Sequence, residues 1–357
     1  MDVLDAREAG CRARLLAWLA LQRHFALRPQ ALPAGARRAE ALAAPWAVAP
    51  VAPLARGEAE RALAGLARRG IRAVPIASPA YPERLRRLAD APVLLLVRGT
   101  PALLLVRAVA IVGARAPSEP GRVTARRLAF ELARAGLAIV SGLARGIDAA
   151  AHEGALEAGG ATVAFQACGP EQVYPAAHRG LAERIAGQGV VVTELPPGTP
   201  PLPGYFPLRN RLISALAEAV IVVEARERSG SLVTARCAAD QGVDVFAVPG
   251  PIDAPTSRGP NRLIQSGAGL VLEAADVLRA LGIAAPQPPH ERPEPPTSLA
   301  REILRALRRQ PLTRDALARG LARAPAELAA ALLELELAGR VREDRDGSLR
   351  VLRAPPL

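Results

Sequence analysis

Lysine does not occur in this 357-residue chain; all 46 basic side chains are arginine. No Walker lysine can therefore follow a glycine-rich phosphate loop, which excludes ATP hydrolysis by a P-loop. Aromatic residues make up 3% of the chain against 50% hydrophobic residues overall, so the core has to be aliphatic. The three cysteines, Cys11, Cys168 and Cys237, stand far apart, and neither they nor the four scattered histidines have metal-ligand spacing. They read as buried or idle thiols in a reducing compartment, and no metal or other cofactor is expected. No apolar run reaches the ~18 residues of a membrane span. The start, Met1-Asp2-Val3-Leu4-Asp5, has no basic segment leading into an apolar one. The expectation is a soluble cytoplasmic protein without membrane contact.

What the chain does have is positive charge, +12 at pH 7, which favours polyanions such as nucleic acid. The excess is uneven: residues 1–75 hold 12 arginines against 6 acids, 76–297 hold 22 against 20, and 298–357 hold 12 against 8. An anion site in the nearly balanced middle must depend on placement of side chains.

Residues 1–70 read as a module of short helices interrupted by Pro29, Pro33, Pro45, Pro50 and Pro53 and closed by Arg68-Arg69-Gly70. From residue 71 the pattern changes. Apolar strands are predicted at 71–76, 93–97, 109–113, 137–140, 161–165, 190–194, 219–224 and 243–248. Helices are predicted between the later ones, at 121–135, 149–158, 179–186, 208–217 and 231–241. Continuously apolar strands alternating with helices describe an α/β domain over 71–283. Its core is a Rossmann-like, doubly wound, mostly parallel sheet with its ligand crevice at the strand carboxyl ends. Six prolines in 284–297 mark a linker. Three helical patterns, then alternating runs around Asp346-Gly347, give 298–357 the outline of a winged-helix domain.

The turn Ser141-Gly142-Leu143-Ala144-Arg145-Gly146-Ile147-Asp148 lies between a strand and a helix, where unpaired N–H groups and the helix dipole favour an anion. Other βα connections bring Gly113 to Arg115, Tyr174-Pro175, Phe206 to Arg211 and Ser229-Gly230-Ser231 to the same edge. Several helix starts together with Arg115, Arg145, Arg209 and Arg211 suit a chain of phosphates better than one phosphate. Tyr174, Tyr205 and Phe206 add aromatic surface on which bases can stack, although Phe206 can equally close the apolar edge of the sheet.

Dinucleotide binding is not favoured. The first sheet strand ends in a lone glycine, Gly113, and Ser141 stands where the ribose-binding acid belongs. Asp148 and His152, four apart on one helix, lack a third metal ligand; Asp148 reads as a helix cap or as a partner of Arg145. Glu194 and Glu224, at strand ends, read as partners for Arg209 or Arg211. No residue is assigned a catalytic role.

Together these motifs resemble the DNA-processing protein A family, DprA, also called Smf. The match runs through Ala110-Ile111-Val112-Gly113-Ala114-Arg115, the turn 141–148 with Ala151-His152-Glu153-Gly154, Tyr174-Pro175 and Thr193-Glu194. It continues through Phe206-Pro207-Leu208-Arg209-Asn210-Arg211, Val223-Glu224-Ala225, Ser229 to Ala235, Phe246 to Gly250 and Asn261-Arg262-Leu263-Ile264. The resemblance covers about residues 75–282 in unbroken order. It implies a non-enzymatic, Rossmann-like core that binds single-stranded DNA, forms a homodimer through that core and loads the recombinase RecA in natural transformation. A SAM-like helical module before the core and a winged helix after it are also implied. The implied DNA contacts are Gly113, Arg115, Ser141, Gly142, Arg145, Phe206, Arg209, Asn210 and Arg211. The chain departs from the family pattern at Ala176 and Ala177, where basic residues are usual.

The third helical pattern of the terminal domain carries Glu327, Glu334 and Glu336 without an arginine. It would repel a phosphate backbone, so this domain reads as a protein-contact or regulatory module. Two other functions stay open. One is a nucleotide-processing enzyme of the lysine-decarboxylase-like phosphoribohydrolase type. The other is an interaction scaffold that binds no DNA.

Overall fold

The central strands of the main sheet, such as Ala108–Val112 and Ala219–Val222, are apolar throughout because both of their faces are covered. Ala110 and Val112 enter one hydrophobic layer and Val109 and Ile111 the other; Val220 and Val222 oppose Ala219 and Ile221 in the same way. A computed structural model describes residues 64–284, 298–337, 340–344 and 347–351. The N-terminal module before residue 64, with its expected SAM-like helices, and the proline-rich stretch 285–297 lie outside the described residues. The chain divides into two compact units, Met1–Pro286 and Gln287–Leu357.

The described residues of the first unit form nine strands: β1 Ile71–Pro75, β2 Leu94–Gly99, β3 Ala108–Val112, β4 Ala138–Ser141, β5 Thr162–Phe165, β6 Val190–Thr193, β7 Ala219–Val222, β8 Asp244–Ala247 and β9 Gly269–Leu270. They form one sheet in the order β1-β2-β6-β5-β4-β3-β7-β8-β9. From β6 to β9 every pairing is parallel. At the other edge β2 joins β6 antiparallel and β1 joins β2 antiparallel. The chain moves outward from β3 to β6, then returns to the far side of β3 for β7, β8 and β9. That reversal of direction leaves a crevice at the carboxyl ends of β3 and β7.

From Glu83 onward the α-helices of this unit are α1 Glu83–Arg86, α2 Glu119–Arg134, α3 Ile147–Glu157, α4 Arg179–Gln188, α5 Tyr205–Leu216, α6 Gly230–Asp240, α7 Arg258–Gln265 and α8 Ala274–Ala280. Helices α2, α3, α5 and α6 all start earlier than the hydrophobic pattern predicts. Helix α2 starts at Glu119 because Ser118 caps it, its Oγ accepting from Gly121 N at 3.1 Å, with Pro120 in the first turn. Helix α5 starts at Tyr205, so that Phe206 through Arg211 is helical and not a connection. Pro207 is tolerated because a first-turn N–H has no partner within the helix.

The second unit comprises α9 Ser298–Arg309, β10 Leu312–Thr313, α10 Arg314–Leu321, α11 Pro325–Leu337, β11 Val341–Glu343 and β12 Ser348–Val351. Its strands pair antiparallel in the order β10-β12-β11, and Ile303, Leu317, Leu332 and Leu349 are buried between helices and sheet. This is the winged-helix arrangement. On α11, Glu327 and Glu334 face solvent, whereas Glu336 is held by Arg314 at 3.2 Å.

Helices α2 and α3 approach closely at Gly154, where an added Cβ would lie 2.1 Å from the Arg126 carbonyl oxygen. Gly154→Ala is expected to push the helices apart and to lower stability by about 1–3 kcal/mol. A reduced urea midpoint with an unchanged slope is the anticipated readout; an unaltered midpoint would contradict this packing.

Candidate nucleic-acid interface

The crevice beside β3 opens into a cleft of about 360 Å³. One wall is the loop after β3, with Gly113 and Arg115; a second is the first turns of α5, with Phe206, Arg209 and Asn210. The third is the connection from β7 to α6, which contributes Arg226, Arg228 and Ser229 to Ser231, and Ala144 and Asp148 complete the lining. Arg115, Arg226 and Arg228 are exposed. Asn210 Nδ2 donates to Gly230 O at 3.2 Å and so ties the α5 wall to the start of α6.

The turn after β4 is built differently from a free anion nest. Asp148 Oδ2 accepts from Gly142 N at 3.1 Å and from Ala144 N at 3.4 Å, while Leu143 N donates to His152 Nε2 at 3.4 Å. The amides expected to meet an external anion are thus already spent on buried side chains. Leu143 is held at φ 56°, an uncommon state for a non-glycine residue, and Gly146 at φ 78° lies where a Cβ would meet Ala114 O at 2.3 Å. Ser141 is buried and donates from Oγ to Ile111 O at 2.7 Å. His152 is fully buried, with Nδ1 2.7 Å from Thr162 Oγ1.

Arg209 is 6% exposed. Its Nη1 donates to Gly142 O at 2.6 Å and to Phe165 O at 2.5 Å. Gly142 has to lack a side chain, because a Cβ there would lie 2.3 Å from that Nη1. Burial lowers the Arg209 pKa to about 10, with Asp148 opposing the shift and Arg115 adding to it. Burial in turn raises the Asp148 carboxyl above the usual range, countered first by Arg209 and then by the two backbone amides. Asp148 therefore binds the amides of the turn, with Arg209 acting on it electrostatically; Arg145, its expected partner, is exposed on the surface.

Arg211 turns inward. It meets Glu194 at 2.6 Å and Asp90 at 2.9 Å, all three side chains being largely buried. The expected Glu194 pairing is present. Glu224 is different: it takes no arginine but accepts from Ser118 N at 2.9 Å and from Ser118 Oγ at 2.5 Å. That contact clips the β3 loop to the end of β7.

The Arg115 guanidinium lies 5.1 Å from the Phe206 ring centroid, and the Tyr174 ring centroid lies 5.6 Å from that of Phe206, with the planes tilted by 58°. Of the nine residues expected in the interface, Gly113, Arg115, Phe206, Arg209 and Asn210 line the cleft, whereas Ser141, Gly142, Arg145 and Arg211 do not. Arg226 and Arg228 were not anticipated. They fall between the Val223-Glu224-Ala225 and Ser229-Gly230-Ser231 motifs, and only their position in a βα connection beside the reversal of strand order could have singled them out. Cys168 is buried, its thiol pushed up to about 11. Among the described residues no three His, Cys, Asp or Glu side chains gather as metal ligands, and no helix is long and apolar enough to cross a membrane.

The buried imidazole has a consequence for acid stability. Burial, then Arg209 and His178, lower His152 from 6.5 to about 3. The unfolded chain thus takes up this proton first, so stability present above pH 6.5 is lost as pH falls toward 3. By pH 5 the loss from this group is about 2 kcal/mol. His152→Gln is expected to shrink the difference between urea unfolding free energies at pH 7 and pH 5 by that amount. An unchanged difference would mean the ring is not held neutral.

Comparison with known proteins finds relatives of this sequence and fold. Residues 72–282 match the family model of DNA recombination-mediator protein A, and residues 285–347 match the DprA winged helix domain. The chain is 42% identical over 222 residues to the DNA processing protein DprA of Bacillus subtilis, covering 62% of this chain and 75% of that one. It is 40% identical over 290 residues to protein Smf of Escherichia coli, covering 79% and 78%. The X-ray structure of DprA from Streptococcus pneumoniae superposes with a TM-score of 0.61 at 35% identity, over 72% of this chain and 96% of that chain. A Helicobacter pylori DNA processing protein A, described for its single-stranded DNA binding mode, superposes with a TM-score of 0.53 at 32% identity, over 56% and 92%. By the extent of the match and the shared fold, the chain belongs to the DNA recombination-mediator protein A family.

Proposed function

We propose that the cleft beside β3 holds single-stranded DNA without regard to sequence, and that the chain is a recombination mediator that shields the strand and passes it to RecA. The observation that carries this reading is the lining itself. Arg115, Arg209, Arg226 and Arg228 converge on one cleft next to the Phe206 ring. Three exposed cations on two walls suit successive phosphates of a chain, the buried Arg209 adds positive charge behind the third wall, and the Phe206 ring suits an unpaired base. The Helicobacter pylori relative supports the ligand class.

In this reading the exposed Arg115, Arg226 and Arg228 meet phosphates, and Gly113 and Asn210 shape the floor and wall. Phe206 takes a base, and Arg145 adds charge at the rim. Ser141, Gly142, Arg209 and Arg211 hold the loop and helix that carry those contacts. The mediator works in the cytoplasm as a homodimer through the first unit, a state that sedimentation of the full chain measures.

The rival reading as a phosphoribohydrolase needs a free carboxylate at the cleft. Both Glu224 oxygens are engaged by Ser118, and Asp148, the carboxylate in the cleft lining, accepts from the Gly142 and Ala144 amides. Incubation with nucleoside monophosphates is expected to release no free base; turnover would overturn the non-enzymatic reading.

Binding of a labelled oligonucleotide is expected to weaken with salt, and single strands should bind more tightly than duplex. Arg115→Ala and Arg228→Ala are each expected to flatten the log–log salt slope by about 0.7, the share of one phosphate contact on a single strand. Salt-independent binding, or a preference for duplex, would overturn the proposal.

A further inference from the structure

Tyr174 is the one exposed aromatic side chain among the described residues, at 44% exposure, while Tyr81, Tyr205, Phe165 and Phe246 are all buried. A ring serving only to close the sheet edge would be expected to pack its apolar surface away from water. This one is left exposed against Phe206, which lines the cationic cleft. It touches Phe206, with centroids 5.6 Å apart and planes 58° from parallel. Phe206 in turn carries the Arg115 guanidinium at 5.1 Å. Cation, ring and ring thus follow one another.

We infer that Tyr174 is a second stacking platform for the bound strand, and that with Phe206 it selects single strands over duplex. The inference rests on the reading of the cleft as a single-stranded DNA site. Bases seated on two rings tilted by 58° cannot stay stacked on each other. A duplex keeps successive bases nearly parallel and paired, so it can satisfy at most one of the two rings. A single strand has no such restraint, and stacking on a ring tolerates any base because each has a π-face.

The test uses the full chain with three probes of equal length: a thymidine oligonucleotide, the same backbone with abasic sites at its centre, and a matched duplex. Tyr174→Ala is expected to weaken binding of the thymidine strand by roughly 5- to 100-fold, the usual range for loss of one stacked base. It should leave the abasic strand and the duplex nearly unchanged, so the preference for single strand narrows. Tyr174→Phe should retain wild-type binding, because the ring is kept. Equal loss on thymidine and abasic strands would overturn the inference, as would no loss on either, or a Tyr174→Phe defect as large as that of Tyr174→Ala. A matching melting temperature checks that the variants remain folded. If the unaltered chain binds none of the probes, the single-strand reading fails and the platform with it. If it binds but Tyr174→Ala makes no difference, only the platform fails.

Discussion

One buried guanidinium joins the elements that make the cleft. Arg209 leaves α5, crosses beneath the turn after β4 and donates to the carbonyls of Gly142 and Phe165, at the ends of two neighbouring strands. Asp148, from the start of α3, supplies the compensating charge and also takes the Gly142 and Ala144 amides. A buried cation without such partners would be very costly. Loop, strand ends and two helices are therefore placed relative to one another by a single hydrogen-bonded charge. The glycine at position 142 follows from it, since any side chain would collide with the guanidinium.

A second tie sets the opposite wall. The Glu224 carboxylate receives both the backbone and the hydroxyl of Ser118, joining the half of the sheet that runs from β3 to β6 to the half that begins with β7. The cleft lies between these halves, and this contact ties its two sides together. A tie of this kind lowers the ordering cost of binding. The exposed arginines on the walls remain long and adjustable, which suits a ligand that presents phosphates at variable positions.

Much of the fold was legible because strands covered on both faces spell unbroken apolar runs, as Ala108–Val112 and Val190–Thr193 do. The antiparallel insertion of β2 beside β6 was not, since Leu94 to Val97 is equally apolar whichever way its neighbour runs. Pro203 and Pro207 concealed the true start of α5. In the site, residue type located the charges but not their depth. Arg209 and Arg211 look like a surface pair in a motif, yet both are buried, one under a loop and one between Asp90 and Glu194. Arg226 and Arg228 belong to no motif and stand at the cleft. Depth is a property of packing between distant segments, and nothing local to those residues encodes it.

The arginine-only lining has a regulatory consequence. Guanidinium groups stay protonated throughout the physiological range, and even Arg209, lowered to about 10, is charged at neutral pH. The cleft offers no primary amine, so acylation, which silences lysine-based nucleic-acid surfaces, has nothing to modify there. Its positive charge is thus not open to silencing by that chemistry.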